Sequence, residues 1–585
     1  MGRASSDLAR TAMASHHVRV PQRKRLPLAV AVLLIPGTLA VLPAAPAAAV
    51  APAAAAPVEI NYQDPVTALP PVTRPPVPHC TVTVVRHDFA NSYGQPFTGT
   101  VAPPAGCPGP WTKVVLDWTG SVAGRQFDRL AGVWLGGAEI FRTSTPEPDP
   151  AGITWHVAKD ISEFIPLLDQ PEPLVADLGN IVDSTYTGIY HMTMTFTYYQ
   201  ARGRYRAAGH ADQVMPLSAS QAGAGWYTLG PGQSASKTVT LPRNLISVRL
   251  EAYARGGGCD EQWFTDVPGD LAARYPAYLC GGGPYREVQV LVDGVPAGLA
   301  QPYPVVYTGG IVPTLWRPIP AVDAFLTLPY DIDLTPFAGR LTDGKPHTIT
   351  ITPYGDADNW TVDGTLFLGT DHGAAQTSGA LTADTLTAAP LLSTTETAGA
   401  GGSTLVRVAT DRNWTTSGYV DTSRGRVWTR VEQQASYLST DTVSAAGAHQ
   451  VVAQRDAGFT QIYTERERGG GPVTTRQTWS YPIDVDSLIA QFIDGNNYNL
   501  QATVTQIREL ADSVSRGDGW QPASVTDDRV DASGILQRSQ GAVVQADGQD
   551  SEHYSSSTGT GACYDREISA SHGYVTTDRR LPCGH

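Results

Sequence analysis

Apolar residues in this chain recur at every second position, in short runs closed by glycine or proline, and that rhythm commits the backbone to strands. Residues 111–118 put Val114, Leu116 and Trp118 on one face and Val115 and Asp117 on the other. Residues 190–199 set Met192, Met194, Phe196 and Tyr198 against Thr193, Thr195 and Thr197, the pattern of a half-buried antiparallel strand. Residues 130–135 form an unbroken apolar run stopped by Gly136-Gly137 and read as a strand buried on both faces. Residues 238–241, 246–253, 288–292 and 347–353 extend the series. The 58 glycines and 45 prolines supply the turns that many short strands need. The expectation is an all-β fold, a sandwich or jelly roll. Residues 160–168 read as one helical turn or a strand-edge loop, and residues 506–514 as the only helix of the last third.

A chain of 585 residues exceeds what one hydrophobic core serves, so two or three domains are expected. Arg23-Lys24-Arg25 precedes an apolar run over 26–42 and then Ala44-Ala45-Pro46-Ala47-Ala48-Ala49, the layout of a secretory signal peptide over residues 1–49. Pro27 and Pro36 break the run, which argues against a membrane anchor, and no later segment is apolar enough to cross a bilayer. Residues 50–78, rich in alanine and proline, and 373–402, rich in threonine, alanine and serine, read as linkers. The six cysteines fall as neighbours: Cys80 with Cys107, Cys259 with Cys280, Cys563 with Cys583. In an exported chain, three local disulfides are expected. No pair has the Cys-x-x-Cys spacing of zinc sites. A net charge of −14 excludes the basic surface that nucleic acid demands.

The commoner hydrolase motifs are absent: there is no H-E-x-x-H, no G-x-S-x-G and no glycine-rich phosphate loop. The 13 histidines are scattered, with no pair at helical ligand spacing, so no metal or cofactor is expected. If every cysteine is paired, none remains as a nucleophile. Carboxylates are left. Asp128-Arg129 stands at the mouth of the 130–135 strand, where a charge must be paired or used. It reads either as an ion pair anchoring the strand or as part of a site. A second candidate is Gly256-Gly257-Gly258-Cys259-Asp260-Glu261-Gln262-Trp263, two acids on a loop whose glycines permit positive φ and close approach to a ligand. A bridge from Cys259 to Cys280 would staple that loop, worth roughly 3 kcal/mol in the chain-entropy view. The loop reads equally as a solvated acidic turn.

The block from Gly124 through Asp128-Arg129, Trp134 and Arg142 to Pro148 resembles the peptide-N4-(N-acetyl-β-glucosaminyl)asparagine amidase A family, the acidic peptide N-glycanases. Gly283-Pro284-Tyr285-Arg286-Glu287-Val288, Val306-Tyr307-Thr308-Gly309-Gly310-Ile311 and Leu315-Trp316-Arg317-Pro318-Ile319 carry the resemblance onward. So do Tyr330-Asp331-Ile332-Asp333-Leu334-Thr335-Pro336-Phe337 and Asp343-Gly344-Lys345-Pro346-His347. The match runs from about Cys80 to His372. It implies two antiparallel jelly rolls side by side, 79–225 and 226–372. A β-rich C-terminal domain, 403–585, is expected to cover or extend them without carrying the chemistry.

A more distant resemblance, to peptide N-glycosidase F, assigns residues. An Asp-Arg pair opening a buried strand matches Asp128 and Arg129. A loop glutamate matches Glu261, although Gln262 separates it from Trp263. A second site glutamate has Asn180 as its nearest counterpart, and Arg317 is the expected substrate-binding arginine. The implied function is a secreted amidase that splits the asparagine side chain from the first N-acetylglucosamine of an N-glycan, leaving aspartate and a glycosylamine. Asp128 would be the base or amide-orienting group, Glu261 would bind the core sugar or polarise the amide, and Arg129 would position both. Trp134, Trp263 and Trp316 are candidate sugar platforms, with core packing the alternative for Trp134. The expected substrates are N-glycosylated peptides or denatured glycoproteins, met by a monomer with no membrane attachment after signal cleavage. Two other readings stay open: a glycan-binding protein without catalysis, and a glycosidase using Glu147 and Glu287 as a carboxylate pair.

Overall fold

The computed structural model describes residues 61–220, 223–517 and 519–583, and strands make up most of them. The predicted signal segment lies outside the described residues. In the first unit, one four-stranded sheet runs His79–Phe89, Tyr190–Gln200, Trp111–Val122, Ile153–Asp160 in spatial order. It faces a second sheet ordered Phe97–Val101, Glu172–Leu178, Leu130–Leu135, Ala138–Ser144. The alternation within 190–199 does what it predicts: Tyr190, Met192, Met194, Phe196 and Tyr198 fill the sandwich, while Thr197 pairs with Thr81 through their hydroxyls on the other face. Residues 162–168 form a short 3-10 turn, Ser162–Phe164, running into the helical turn Ile165–Leu168.

The second unit repeats the plan. One sheet holds Tyr227–Leu229, Trp360–Thr370, Leu245–Gly256 and Tyr330–Asp333; the other holds Ala235–Thr240, Pro346–Tyr354, Glu287–Val292 and Val295–Ala300. The strand Gln213–Pro216 already pairs with Trp360–Thr370, so the change of unit comes before the expected boundary at 225. The two units meet at Ala138–Ser144, a strand buried along its whole length. On it, Glu139 and Arg142 form a two-pronged ion pair, with Nε–Oε1 and Nη2–Oε2 both at 2.8 Å. Arg142 also donates to the Thr361 carbonyl and lies 4.9 Å from the centre of the Tyr253 ring, both in the second unit.

Everything from Ser378 to Arg580 forms one 12-stranded sheet. The expected linker at 373–402 is part of it: Ser378–Asp384 and Ser393–Ala398 both pair with Thr404–Thr422. Their small polar residues suit an edge that offers main-chain bonds more than side-chain burial. The expected helix at 506–514 is also strand, inside Asn497–Ser515. Its glutamine, arginine and leucine are good helix formers, but tertiary bonds override that preference. Buried Gln506 accepts from the Val322 amide (3.0 Å) and donates to the Pro304 carbonyl (2.6 Å). The sheet comes so close to the second jelly roll that a Cβ at Gly418 or Gly548 would sit 2.0 Å from a main-chain oxygen of Pro336 or Thr314.

The described part of the 50–78 segment is no free linker. It is a strap held by main-chain bonds, with few apolar contacts, which is why composition hides it. Gln63 N–H donates to the Gly573 carbonyl, Val66 N–H to that of Pro318, and Ala68 N–H to the Glu552 carboxyl. All three neighbouring cysteine pairs are disulfides: Cys80–Cys107, Cys259–Cys280 and Cys563–Cys583.

The face of the large sheet turned to the rest of the protein carries buried acids. Asp550 accepts from the Ile319 amide, Glu552 from Ala68, and Asp441 from Gln450. Burial pushes Asp441 and Asp456 up to about 7 and Asp550 up to about 8, and it raises Glu552 as well. The folded protein thus keeps protons on carboxyls that the unfolded chain has already released. Their contribution is fullest near the ordinary carboxylate value of about 4. It is lost as pH climbs through about 7 to 8. Tm is therefore expected to be higher at about pH 5 than at about pH 8.5, with Asp550→Asn flattening the slope. A Tm that climbs over that interval would contradict a protonated interface.

Candidate active site

Asp128 sits in the 124–129 segment that leads into Leu130–Leu135, and both peptide groups flanking it are pinned. The Tyr190 hydroxyl donates to the Phe127 carbonyl at 2.7 Å. The Arg129 amide donates to Thr145 Oγ1 at 2.8 Å, and the Thr145 amide returns a bond to the Arg129 carbonyl. Beneath them, buried Gln126 donates to the Ile181 and Gly188 carbonyls and accepts from Arg129 Nη2. Asp128 is therefore preorganised by bonds on either side of it. The Arg129 guanidinium is held below the usual arginine value by burial, against the pull of Tyr190, Asp128 and Glu147. Its Nε is buried with no hydrogen-bond partner among the described residues.

From the second jelly roll comes Arg255, one residue before the end of the Leu245–Gly256 strand. Its Nη2 is 2.8 Å from Glu261 Oε2, and its guanidinium lies 4.4 Å from the centre of the Tyr307 ring. Burial opposes the charge, but Glu261, Tyr307 and Asp128 outweigh it and hold Arg255 above the usual arginine value. Arg255 thus pairs with Glu261 and lies within electrostatic reach of Asp128, and its Nε too is buried without a hydrogen-bond partner among the described residues. Beside Arg255 and Glu261, rimmed by Trp263 and Tyr307, is a cavity of about 20 Å³, room for about one water. A larger concavity, about 300 Å³, lies around Arg86, Asp88 and His191, and none of the predicted site residues lines it.

The loop acids divide their work. Asp260 points back into the protein, accepting from Arg286 Nη2 (2.7 Å), the Ala357 amide (3.0 Å) and the Trp360 indole. Arg286 also holds Asp266, at 2.7 Å. With the Cys259–Cys280 bridge, this fixes Gly258–Thr265 and leaves Glu261 to face Arg255. The glycines serve packing, not ligand approach. A Cβ at Gly256 would lie 2.1 Å from the Asp260 carbonyl oxygen, and one at Gly257 2.4 Å from Asn359 Oδ1; only Gly258 has positive φ (+62°).

Other predicted positions fall differently. Arg317 borders the site, its Nη2 3.0 Å from Glu147 Oε2 and its guanidinium over the Tyr62 ring. Asn180 is fully buried, and its amide donates to the Phe89 and Gly188 carbonyls, each at 3.0 Å. It props the 181–188 loop and cannot touch substrate. Trp134, Trp263 and Trp316 are 1%, 4% and 3% exposed, so none offers a sugar an open face. The Trp134 indole bonds Asp363, and that of Trp316 bonds the Gly310 carbonyl. Glu287 is saturated by Arg412, Tyr285 and Gln289 in a fully buried place, which removes the Glu147–Glu287 glycosidase pair.

A family profile described as peptide N-acetyl-beta-D-glucosaminyl asparaginase amidase A matches residues 65–386. Peptide-N4-(N-acetyl-beta-glucosaminyl)asparagine amidase A of Prunus dulcis is 35% identical over 403 residues, which cover 66% of this chain and 70% of that protein. The chain belongs to this amidase A family. By that membership it is a hydrolase. Among solved structures, PNGF-II aligns at a TM-score of 0.34 and 15% identity, over 50% of this chain and 66% of its own. Peptide: N-glycanase F (PNGase F) aligns at 0.33 and 14%, over 50% and 96%. The family span contains Asp128, Arg129, Arg255, Glu261 and Arg317, and it ends before most of the 12-stranded sheet.

Residue reasoning passed over Arg255 because it abuts a glycine run that reads as loop. A cation closing the apolar 246–253 strand was the available signal. Tyr62, whose hydroxyl donates to the Glu147 carbonyl, had none, being embedded in the alanine- and proline-rich segment.

The neighbouring acids should respond in different proportions to mutation. Asp260→Ala leaves Asp266 to pair with buried Arg286 but strips the Ala357 amide and the Trp360 indole of their acceptor, which should cost about 1–3 kcal/mol of stability. Glu261→Gln keeps the shape and an acceptor for Arg255, so it should lower Tm less than Asp260→Ala does while lowering turnover by at least about tenfold. Melting curves and rates on the same preparations decide it; a Glu261→Gln protein with full turnover would remove Glu261 from the site.

Proposed function

We propose that this family member is an exported peptide N-glycanase that hydrolyses the amide between an asparagine side chain and the first N-acetylglucosamine of an N-glycan. The observation that carries the reading is the ion pair of Glu261 with Arg255 in the second jelly roll, on which the charge of Asp128 from the first also acts. Amide hydrolysis needs a base for water, a donor for the oxyanion and a proton for the departing nitrogen. Asp128 takes the proton as water attacks the amide carbon, a role worth about 10² to 10⁴ in rate. The unpartnered Nε–H groups of Arg129 and Arg255 are the donors available to the oxyanion, and losing one such donor costs about 10² to 10³. When the C–N bond breaks, the proton on Asp128 passes to the nitrogen. The peptide keeps aspartate and the sugar leaves as a glycosylamine. Glu261 holds Arg255 in place and borders the bound sugar. No step calls for a metal or cofactor.

The expected substrates are N-glycosylated peptides and unfolded glycoproteins, whose asparagine can reach a seam between two domains, and the chain acts as a monomer. Three disulfides and the basic, apolar and small-residue order of residues 23–49 support export.

Treating a defined glycopeptide and weighing the products tests the reading. Conversion of asparagine to aspartate is expected. A sugar left on the peptide would mean a glycosidase, and an unchanged glycopeptide a binding protein; either sinks the proposal. Asp128→Asn should cut turnover by at least about 10², with glycopeptide affinity and Tm close to those of the parent. A fall in Tm matching the loss of rate would instead mark Asp128 as a structural partner of the nearby arginines.

A further inference from the structure

The 12-stranded sheet is keyed to the segments that carry the site. Thr314, in the turn Pro313–Trp316, donates to the Ile535 carbonyl at 3.2 Å and is clasped by Gly534 and Gly548. Three residues past that turn's Thr314 is Arg317, which holds Glu147. Three residues past Ile535, about 10 Å along the strand, is Arg538. The Gly573 turn presses on Tyr62, where a Cβ on the glycine would meet Tyr62 Cβ at 2.6 Å, and Tyr62 bonds the Glu147 carbonyl. Two parts of the sheet thus reach the same corner of the site.

The group that arrives there is built. Arg538 Nε donates to the Tyr498 hydroxyl at 3.0 Å and its Nη1 to the Gly541 carbonyl at 2.9 Å. Across the hairpin Tyr498 pairs with Phe492, their rings 6.5 Å apart and within 17° of parallel. Opposite, on the first jelly roll, Phe127 and Tyr186 lie 4.2 Å apart beside Arg125. Phe492, Tyr498, Phe127 and Tyr186 are all partly exposed, unlike the three buried tryptophans. The charges of Glu147 and Arg125 act on the Tyr498 hydroxyl, and that of Arg538 on the Tyr186 hydroxyl, so the two walls stand within electrostatic reach of one another.

We propose that the C-terminal sheet is a wall of the substrate groove, with Tyr498 and Phe492 receiving the sugars of the glycan beyond the linkage residue. Partly exposed rings, one with a hydroxyl at its edge, suit a sugar, which has an apolar face and a polar rim. An extended peptide would want an open strand edge. Asn497–Ser515 offers none here, being paired with Ile483–Asp494 on one side and Trp520–Ser539 on the other. This inference rests on the glycanase reading and adds a specificity role for a region outside the family span.

Two substrates with one peptide, one bearing a two-sugar stub and one a full N-glycan, separate the claims. For Tyr498→Ala and for Phe492→Ala, kcat/KM on the full glycan should fall about tenfold, mainly through KM. The stub should be cleaved within about twofold of the parent rate, at unchanged Tm, and Tyr498→Phe should keep most of the preference for the long glycan. Equal treatment of both substrates by both alanine variants would overturn the wall. So would a loss that follows peptide length at constant glycan. Release from neither substrate by the unaltered protein would instead bring down the glycanase reading itself.

Discussion

The position of the two walls of the site depends on the buried pair Glu139–Arg142. Taking two charges out of water costs several kcal/mol per ion, and such a pair holds only when further bonds satisfy it. Here Arg142 spends its fork on Glu139, reaches the Thr361 carbonyl with its remaining nitrogen, and packs on Tyr253. The same strand exchanges main-chain bonds with the second unit, Ser144 with Ala324 and Thr327 with Arg142. Tyr253 lies two residues before Arg255, and Ser144 one before Thr145, which pins Arg129. The register that satisfies the ion pair is thus the register that brings Asp128 and Arg255 together. A slip at this seam would separate the acids without unfolding either jelly roll.

Much of the first two units was legible because their strands obey one rule at a time. Tyr190–Gln200 alternates, Leu130–Leu135 is apolar throughout, and each became the strand its pattern announces. The first half of the site was legible for the same reason, since Asp128-Arg129 interrupts an apolar context. The large sheet was legible as β-rich over 403–585, but neither its start at Ser378 nor the strand through 506–514 was. Its strands are long and rich in threonine, serine and glutamine, and their buried face mixes apolar residues such as Val406, Val420 and Val504 with polar ones such as Gln506, bonded to Val322 and Pro304. Hydrophobic periodicity fails where a polar residue takes a buried position or an edge strand stays exposed, so 506–514 looked helical and 373–402 looked like a linker. Tryptophan misled in the other direction: an aromatic ring suits a sugar, but Trp134, Trp263 and Trp316 are also the largest core fillers available, and burial took all three.

The contrast between Asp260 and Glu261 shows why residue type alone does not locate chemistry. Both acids stand on one stapled turn. Asp260 is enclosed by Arg286, Trp360 and the Ala357 amide, while Glu261 meets a cation that also feels Asp128. A buried carboxylate with every acceptor position taken is an anchor, as Glu287 also is. A carboxylate whose cation also feels an acid of the opposite domain is the one we place in the site.

The strap has a consequence in time. Gln63 accepts a bond from the Val575 amide, a partner 512 residues later in the chain, and Ala68 bonds Glu552 across 484. During synthesis those partners are made 484 to 512 residues after the strap, so the strap must wait, unpaired, until they emerge. Contacts this remote in sequence are closed late and slowly. Tyr62, beside Glu147 and Arg317, belongs to that strap, so the corner of the site it occupies is finished last. A nascent chain that has already folded both jelly rolls still lacks it, and that corner waits for the strands that carry Glu552 and Val575.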